Sequence, residues 1–208
     1  GDRLALALDV PAGARVTGTT QTAERLYRAS GAPAEIDIAL TTGAGARLDW
    51  LPQETILFDG CAARRRTQID LAGGATCLAV EALVLGRAAM GETVMRLALS
   101  DTRTIRRNGR VIHMEPLALA PAHLGDRPAL LAGARAVASL VLVAPGAADA
   151  LGPVRAALSE PGVTAAASAP DGRLVVRLMS PDAFPLRRQL ARLIRLLRPA
   201  PLPRVWQI

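Results

Sequence analysis

Leu4, Leu6, Leu8 and Val10 fall on every second position and alternate with Arg3, Ala5, Ala7 and Asp9, the period of a half-buried strand. Ile36, Ile38 and Leu40 repeat the pattern and run into the turn "TTGAGA". "QIDL" (68–71) precedes a second turn, "AGGA", and then a long apolar run, "TCLAVEALVLG". Met95, Leu97 and Leu99 alternate again, and "RRNGR" brings Asn108-Gly109, a strong hairpin signal, before "VIHMEPLAL". Strands punctuated by Gly-containing turns, with no helical pattern between them, predict an all-β architecture with antiparallel or coiling sheets.

The pattern changes near residue 128. "AVASLVLV" (136–143) reads as a buried strand, and residues 147–160 read as a helix weakened by Gly152-Pro153. "VTAAASA" and "RLVVRLM" flank the turn "PDG" as a hairpin. A second helix is expected over 182–198, with Ser180 as N-cap, Pro181 as first helical residue and Pro199 as stop. Leu186, Leu190, Leu193, Ile194 and Leu197 share one face of it, and Arg187, Arg188, Arg192, Arg195 and Arg198 the opposite, exposed one. The fold class is therefore mainly β, a coiled, antiparallel-rich sheet architecture with about two helices in the C-terminal third. One domain over 1–208 is expected, divisible into an all-β part (1–127) and an α+β part (128–208). No internal repeat is legible.

Charge alters the picture in one respect. Every one of the 25 basic residues is arginine, which removes lysine-dependent chemistry: a phosphate-loop lysine, a Schiff base or a lysine general base. Residues 131–208 carry most of the net positive charge, so a basic module for nucleic acid or an anionic surface, built on Arg187–Arg198, is one reading. Few aromatics accompany those arginines, which argues against nucleic acid. Arg64-Arg65-Arg66 reads as a solvated loop. Cys61 and Cys77 fit neither a CxxC motif nor a disulfide framework and point to a reducing, cytoplasmic compartment.

Recognisable catalytic motifs are missing. The sequence has no GxSxG and no HExxH, and "GAGARL" is only a fragment of GxGxxG. His113 lies in a strand-like run and His123 in a loop. The chemistry worth following is carboxylate. "LDWLPQETILFDG" (48–60) places Asp49, Glu54 and Asp59 among apolar residues, and Glu81 sits inside the apolar run that ends at Gly86. A buried, unpaired carboxylate is costly, so Glu81 must meet an arginine (Arg87 or one of Arg64–Arg66), backbone donors, water or a cation. Glu54, Asp59, Glu81 and Glu92 are thus candidate ligands, and a carboxylate-dependent metal enzyme would need at least three of them around one point. They serve equally to fix a bend through arginine pairs and backbone amides.

Four blocks, "TTQTAERLYRA" (19–29), "LDWLPQETILFDG" (48–60), "EALVLGRAAMGE" (81–92) and "PLPRVW" (201–206), resemble the urease accessory protein UreD family, called UreH in some organisms. They follow the family's order from end to end of the chain. Family members carry an N-terminal segment that ends in a Gly-rich turn before the pair seen here as Gly1-Asp2, so an N-terminally truncated chain is expected. The resemblance implies a coiled, helix-like β-sheet with a few C-terminal helices, and no catalysis. It implies a cytoplasmic scaffold that joins the accessory protein UreF and the GTPase UreG to urease apoprotein and assists assembly of its carbamylated-lysine dinickel site. It implies no tightly bound cofactor, no nucleic acid and no membrane. A proposed internal passage for nickel in the family makes Glu54, Asp59, Glu81 and Glu92 candidate transient nickel contacts.

Overall fold

In the computed structural model, which describes residues 1–207, the first half of the chain winds as a coil between two sheets. One turn of the coil is β1 (Arg3–Val10), then β2 (Arg15–Gly18) and β3 (Glu24–Leu26). The next is β4 (Ala34–Thr42), then β5 (Arg47–Trp50) and β6 (Thr55–Leu57). The last is β7 (Cys61–Leu71) with β8 (Thr76–Leu85), after which β9 (Leu97–Arg107) begins a further pass. β1, β4, β7 and β9 stack in parallel in one sheet; β2 and β3, β5 and β6, and β8 stack in parallel in the other. The expected coiling sheet is present, but its pairing is mixed: antiparallel pairs begin only with β10 (Arg110–Leu119), the hairpin partner of β9. Parallel stacking follows from the coil itself, because every turn brings the chain back in the same direction.

The coil has a repeat that the sequence disguises. "PAGA" (11–14), "GAGA" (43–46) and "AGGA" (72–75) form the same turn three times, each with its glycine (Gly13, Gly45, Gly74) at positive φ. The turns stack through Gly13 N–H to Ala44 O and Gly45 N–H to Gly73 O, both at 2.9 Å. The tetrapeptides lie about thirty residues apart, within the usual range of solenoid repeats, but they are too short to register as a repeat. This also explains the GxGxxG fragment: "GAGA" is one step of the stack. At the next level Asn108 (φ 49°) and Gly109 (φ 78°) close the β9–β10 hairpin instead, which ends the coil.

The second sheet continues through β11 (Ala136–Val143), β13 (Arg173–Ser180) and β12 (Thr164–Ser168), all antiparallel, with β11 against β8. The outer face of this sheet carries the helices. Residues 147–150 form a single 3₁₀ turn, and α1 is only Leu151–Ala157, shorter than the expected 147–160. Pro153 is tolerated in its first turn, and Gln189 takes over the backbone beyond its end: its side chain accepts from Ser159 N (3.2 Å) and Glu160 N (3.0 Å) and donates to Ala157 O (2.9 Å).

α2 spans Ala183–Leu197. Its cap is Asp182, which accepts from Phe184 N at 2.8 Å; Ser180 is the last residue of β13, and its hydroxyl accepts from Asp182 N instead. Leu186, Leu190, Leu193 and Ile194 bury against Leu78, Val80, Leu140 and Val176, as the periodicity predicts. The arginine face is not the free surface that was expected. Arg198 is buried, Arg187 meets Glu54 at 2.9 Å, and Arg188 and Arg192 both meet Glu160 at 3.2 Å. Met95 lies outside β9 and is exposed, and Arg64–Arg66 belong to β7 rather than a loop. Among the described residues no helix is long and apolar enough to cross a membrane.

Candidate functional site

The space between the two sheets is divided into three zones. At the end of the stacked turns Val10, Leu40, Leu48, Ile69, Leu71, Ile105, Val141 and their neighbours form one apolar core. At the other end Leu57, Cys61, Ala63, Leu83, Leu85, Leu97 and Leu99 form a second. Between them the inward positions turn polar. β7 alternates buried Cys61, Ala63, Arg65, Thr67, Ile69 and Leu71 with exposed or half-buried neighbours, so the middle of the Arg64–Arg66 run enters the interior while its flanks face solvent. Asp101 and Arg103 of β9 follow the same rule, and β8 contributes Glu81 because both its faces are buried.

These groups form two adjoining clusters, one around Arg65 and one around Glu115. Arg65 Nη2 lies 2.6 Å from Glu81 Oε1 and 2.6 Å from Asp101 Oδ2, and Arg65 Nη1 donates to Thr55 Oγ1 at 2.9 Å. Arg103 Nη2 reaches Glu115 Oε2 and Ser139 Oγ, both at 2.5 Å; Arg177 reaches the other Glu115 oxygen at 3.2 Å. Burial raises the Glu81 carboxyl to about 7; Arg65 opposes the shift and the adjacent Asp101 carboxylate adds to it. Burial also pulls on the Arg65 guanidinium, but Glu81 and Asp101 outweigh it and hold Arg65 above its ordinary range. Burial disfavours ionised Glu115, yet His113, Arg103 and Ser139 together hold its carboxyl well below the usual range. His113 is itself buried, with Nε2 at 3.7 Å from Glu115, so it is not a surface residue.

Two cavities meet this polar layer. One, of about 200 Å³, opens beside β1 and β4, with Leu4, Leu6, Ile38, Trp50, Arg65 and Glu81 in its wall. The other, of about 450 Å³, opens between β10 and the β11–β12–β13 strands, with Glu81, Asp101, Arg103, Glu115, Leu117 and Leu178 in its wall. Glu81 belongs to both, and Arg65, which also meets Asp101, lies against it. A small polar or charged species entering from either side meets this carboxylate.

The other three sequence-predicted acids belong to separate networks. Glu54 pairs with Arg187. Asp59 Oδ1 accepts from Met95 N (2.9 Å) and Arg96 N (2.8 Å), and its other oxygen meets Arg28 and Arg96. These backbone amides, with Arg96 beside them, hold the Asp59 carboxyl below its ordinary value. Glu92 accepts from Asp59 N (3.1 Å) and Arg87 N (3.0 Å); its pairing with Arg87 at 2.8 Å holds it low as well. So Asp59 and Glu92 come together, while Glu54 and Glu81 each stand apart from them. Among the described residues no three His, Cys, Asp or Glu side chains group to hold a metal ion, and the arrangement required by a carboxylate-dependent metal enzyme is not formed.

The apolar stretch 48–60 carries its acids for this reason. It makes β5, bends at Leu51–Glu54 around Pro52, and resumes as β6 beside the far half of β8. Asp49 is held by Arg47 and Arg198, Glu54 by Arg187, and Asp59 by backbone amides, so each acid pins one corner. Sequence reading missed Asp101, Arg103, Glu115 and Ser139. The available signal was the period-two rule itself: continued through "LALSDTRTI", it puts Asp101 and Arg103 on the side of Leu97 and Leu99.

The sequence model of the family described as UreD urease accessory protein matches residues 1–207. A protein from Paracoccus denitrificans named "Urease accessory protein UreD" is 56% identical over 210 residues, covering all of this chain and 75% of its own length. A protein of the same name from Cereibacter sphaeroides (strain ATCC 17025) is 57% identical over 209 residues, covering all of this chain and 76% of its own length. One from Rhizobium leguminosarum bv. trifolii is 48% identical, covering all of this chain and 77% of its own length. The coiled sheet agrees with the architecture that the resemblance implies, and these matches show that the chain belongs to the UreD family of urease accessory proteins.

Proposed function

We propose that this chain is a non-enzymatic maturation scaffold that joins UreF and the GTPase UreG to urease apoprotein in the cytoplasm, and that nickel on its way to the urease site passes the polar layer at Glu81. Family membership supports the role in urease maturation. The observation that carries the finer reading is Glu81, a largely buried carboxylate shared by two cavities that open beside β1 and beside β10. Nickel is cargo here, not a resident cofactor. Conduction needs a contact strong enough to admit the ion and weak enough to release it. Glu81, Asp101 and Glu115 supply oxygen donors, and Arg65 and Arg103 beside them keep the hold weak. Of the four acids singled out from the sequence, Glu81 takes the transient contact, whereas Glu54, Asp59 and Glu92 shape the scaffold around it.

The test is made in cells producing urease and its other accessory proteins. Glu54, Asp59, Glu81 and Glu92 are changed singly to their amides, and protein level, complex formation, urease activity and urease nickel content are measured. The expected result is an intact complex with lowered urease nickel for Glu81→Gln. Normal nickel content in that variant, with normal complex formation, removes the passage from the function. Absence of any complex with UreF or urease in the unaltered protein removes the scaffold.

A further inference from the structure

Three of the blocks read from the sequence end at one corner of the surface: "TTQTAERLYRA" at Tyr27 and Arg28, "LDWLPQETILFDG" at Phe58 and Asp59, and "EALVLGRAAMGE" at Arg87, Met90 and Glu92. Tyr27 and Phe58 stack with ring centroids 4.7 Å apart, and the Arg87 guanidinium lies 4.6 Å from the Phe58 centroid on its face. Tyr27, Met90 and Met95 are 61%, 72% and 67% exposed, among the most exposed large apolar side chains of the molecule.

Charge at this corner is sorted by depth. The Asp59 and Glu92 side chains are only 19% and 15% exposed, their oxygens taken up by backbone amides and by arginines. The arginines that pair with them stand outside: Arg28 and Arg96 are 66% exposed and Arg87 47%. One carboxylate therefore fixes Arg28 and Arg96 side by side, using few of the five donors each guanidinium carries. Between them lies an open depression of about 350 Å³ floored by Gly60, Cys61 and Ala62. Gly60 has φ +80°, and a Cβ there would press on the Arg28 side chain at 3.1 Å.

We propose that this corner is the docking surface for an acidic segment of a protein partner that seats an apolar side chain against Tyr27, Met90 and Met95. Exposed tyrosine, methionine and arginine around a fixed centre is the composition of interface hot spots. The outward guanidiniums, with their acids half-buried beneath them, select a negatively charged partner. The proposal deepens the scaffold reading above and rests on it.

The test uses the full-length protein co-expressed with urease and its other accessory proteins. A photo-crosslinking phenylalanine analogue is placed at Tyr27, at Met90 and, as control, at exposed Phe184, and the cross-linked peptides are sequenced. Crosslinks from 27 and 90, but not 184, to one Asp/Glu-rich segment of a co-expressed protein are expected. Paired substitution Arg28→Glu with Arg96→Glu is expected to reduce that partner's co-purification about tenfold, whereas exposed Arg195→Glu leaves it unchanged. Should the paired reversal lower the melting temperature, Tyr27→Ala and the pair Arg28→Gln with Arg96→Gln replace it, with a loss of about fivefold expected. Crosslinks to a second copy, to lipid or to a segment without acidic excess overturn the proposal, as does unchanged co-purification of the variants. If the unaltered protein captures none of the co-expressed proteins, the scaffold reading falls with it. If it captures them and the variants do so equally well, only this surface is wrong.

Discussion

Arg198 and Asp49, 149 positions apart in the chain, meet through a hydrogen bond from Arg198 Nε to Asp49 Oδ2 at 3.1 Å, with both side chains almost fully enclosed. Arg47 donates to the other Asp49 oxygen at 3.0 Å, and Arg198 also donates to Thr17 Oγ1 at 2.8 Å. The residue that follows α2 is thereby tied to the edge of the coil, at β2 and β5.

Removing Arg198 leaves enclosed Asp49 with only Arg47 opposite it, and removing Asp49 leaves enclosed Arg198 without a carboxylate. Arg198→Met is expected to cost about 3–5 kcal/mol, and the double change Arg198→Met with Asp49→Leu considerably less, by chemical denaturation. A double-variant loss equal to the sum of the losses of Arg198→Met and Asp49→Leu measured singly would show that the pair itself contributes nothing.

Gln189 is fully buried and completes the end of α1 from α2. Gln189→Leu keeps the apolar stem but strands the Ser159 and Glu160 amides, so a loss of about 1–3 kcal/mol is expected in a denaturant titration. Hydrogen exchange at those two amides is expected to quicken with it.

On the leucine face of α2 the periodicity and the contacts agree. Leu190→Asp or Leu193→Asp is expected to destabilise strongly, by several kcal/mol, and exposed Arg195→Glu by about 0.5 kcal/mol or less in thermal melts. Arg192→Glu differs from Arg195→Glu, because it brings a carboxylate against buried Glu160. It is expected to fall between the two.

Glu81 has its folded-state pKa raised to about 7 from an ordinary 4.5, so the folded protein holds a proton there that the unfolded chain has already released. Stability from this residue is therefore highest below pH 4.5 and declines as pH rises through 7. Relative to Glu81→Gln, whose side chain does not titrate, the unaltered protein should lose up to about 3 kcal/mol between pH 5 and pH 8. A pH-independent difference between the two melting temperatures would mean that Glu81 stays ionised throughout. Glu115 acts in the opposite sense: its lowered pKa adds stability that persists at neutral pH and disappears only as strong acid protonates it.

Asp59 pins the chain between the 3₁₀ turn Ala88–Met90 and β9 through the Met95 and Arg96 amides. Asp59→Asn retains shape but weakens these bonds, and faster limited proteolysis within residues 86–96 is expected, with the global melting temperature little changed. An unchanged cleavage rate would show that other contacts suffice to hold this segment.

Much of the architecture is readable because it depends on local rules. A strand that is half buried must alternate, so β4 and β7 carry the period of two, and β8, covered on both faces, becomes a continuous apolar run. β1 has the same period but is an edge strand whose Leu4 and Leu6 stay exposed, contrary to the half-buried strand its pattern predicts. Parallel pairing is not readable in the same way. A hairpin announces itself by its turn residues, as Asn108-Gly109 does, whereas a coil is announced only by the return of its turns. Here those turns are four residues long and rich in the alanine and glycine that fill the rest of the chain.

By itself, the sequence determined the mainly β character, the two helices near the C-terminus, the leucine face of α2 and, through its four blocks, the family. Only the tertiary structure decided which charges are partners. Arg65 rather than Arg64 or Arg66 enters the polar layer, Arg198 is buried although α2 periodicity puts it on the polar face, and Glu81 rather than Glu54, Asp59 or Glu92 lies between the cavities. The physical reason is that burial is local in pattern but pairing is not. Alternation fixes which side of a strand a residue takes, while an arginine and a carboxylate find each other only after separate strands have been stacked, at sequence distances no spacing rule records.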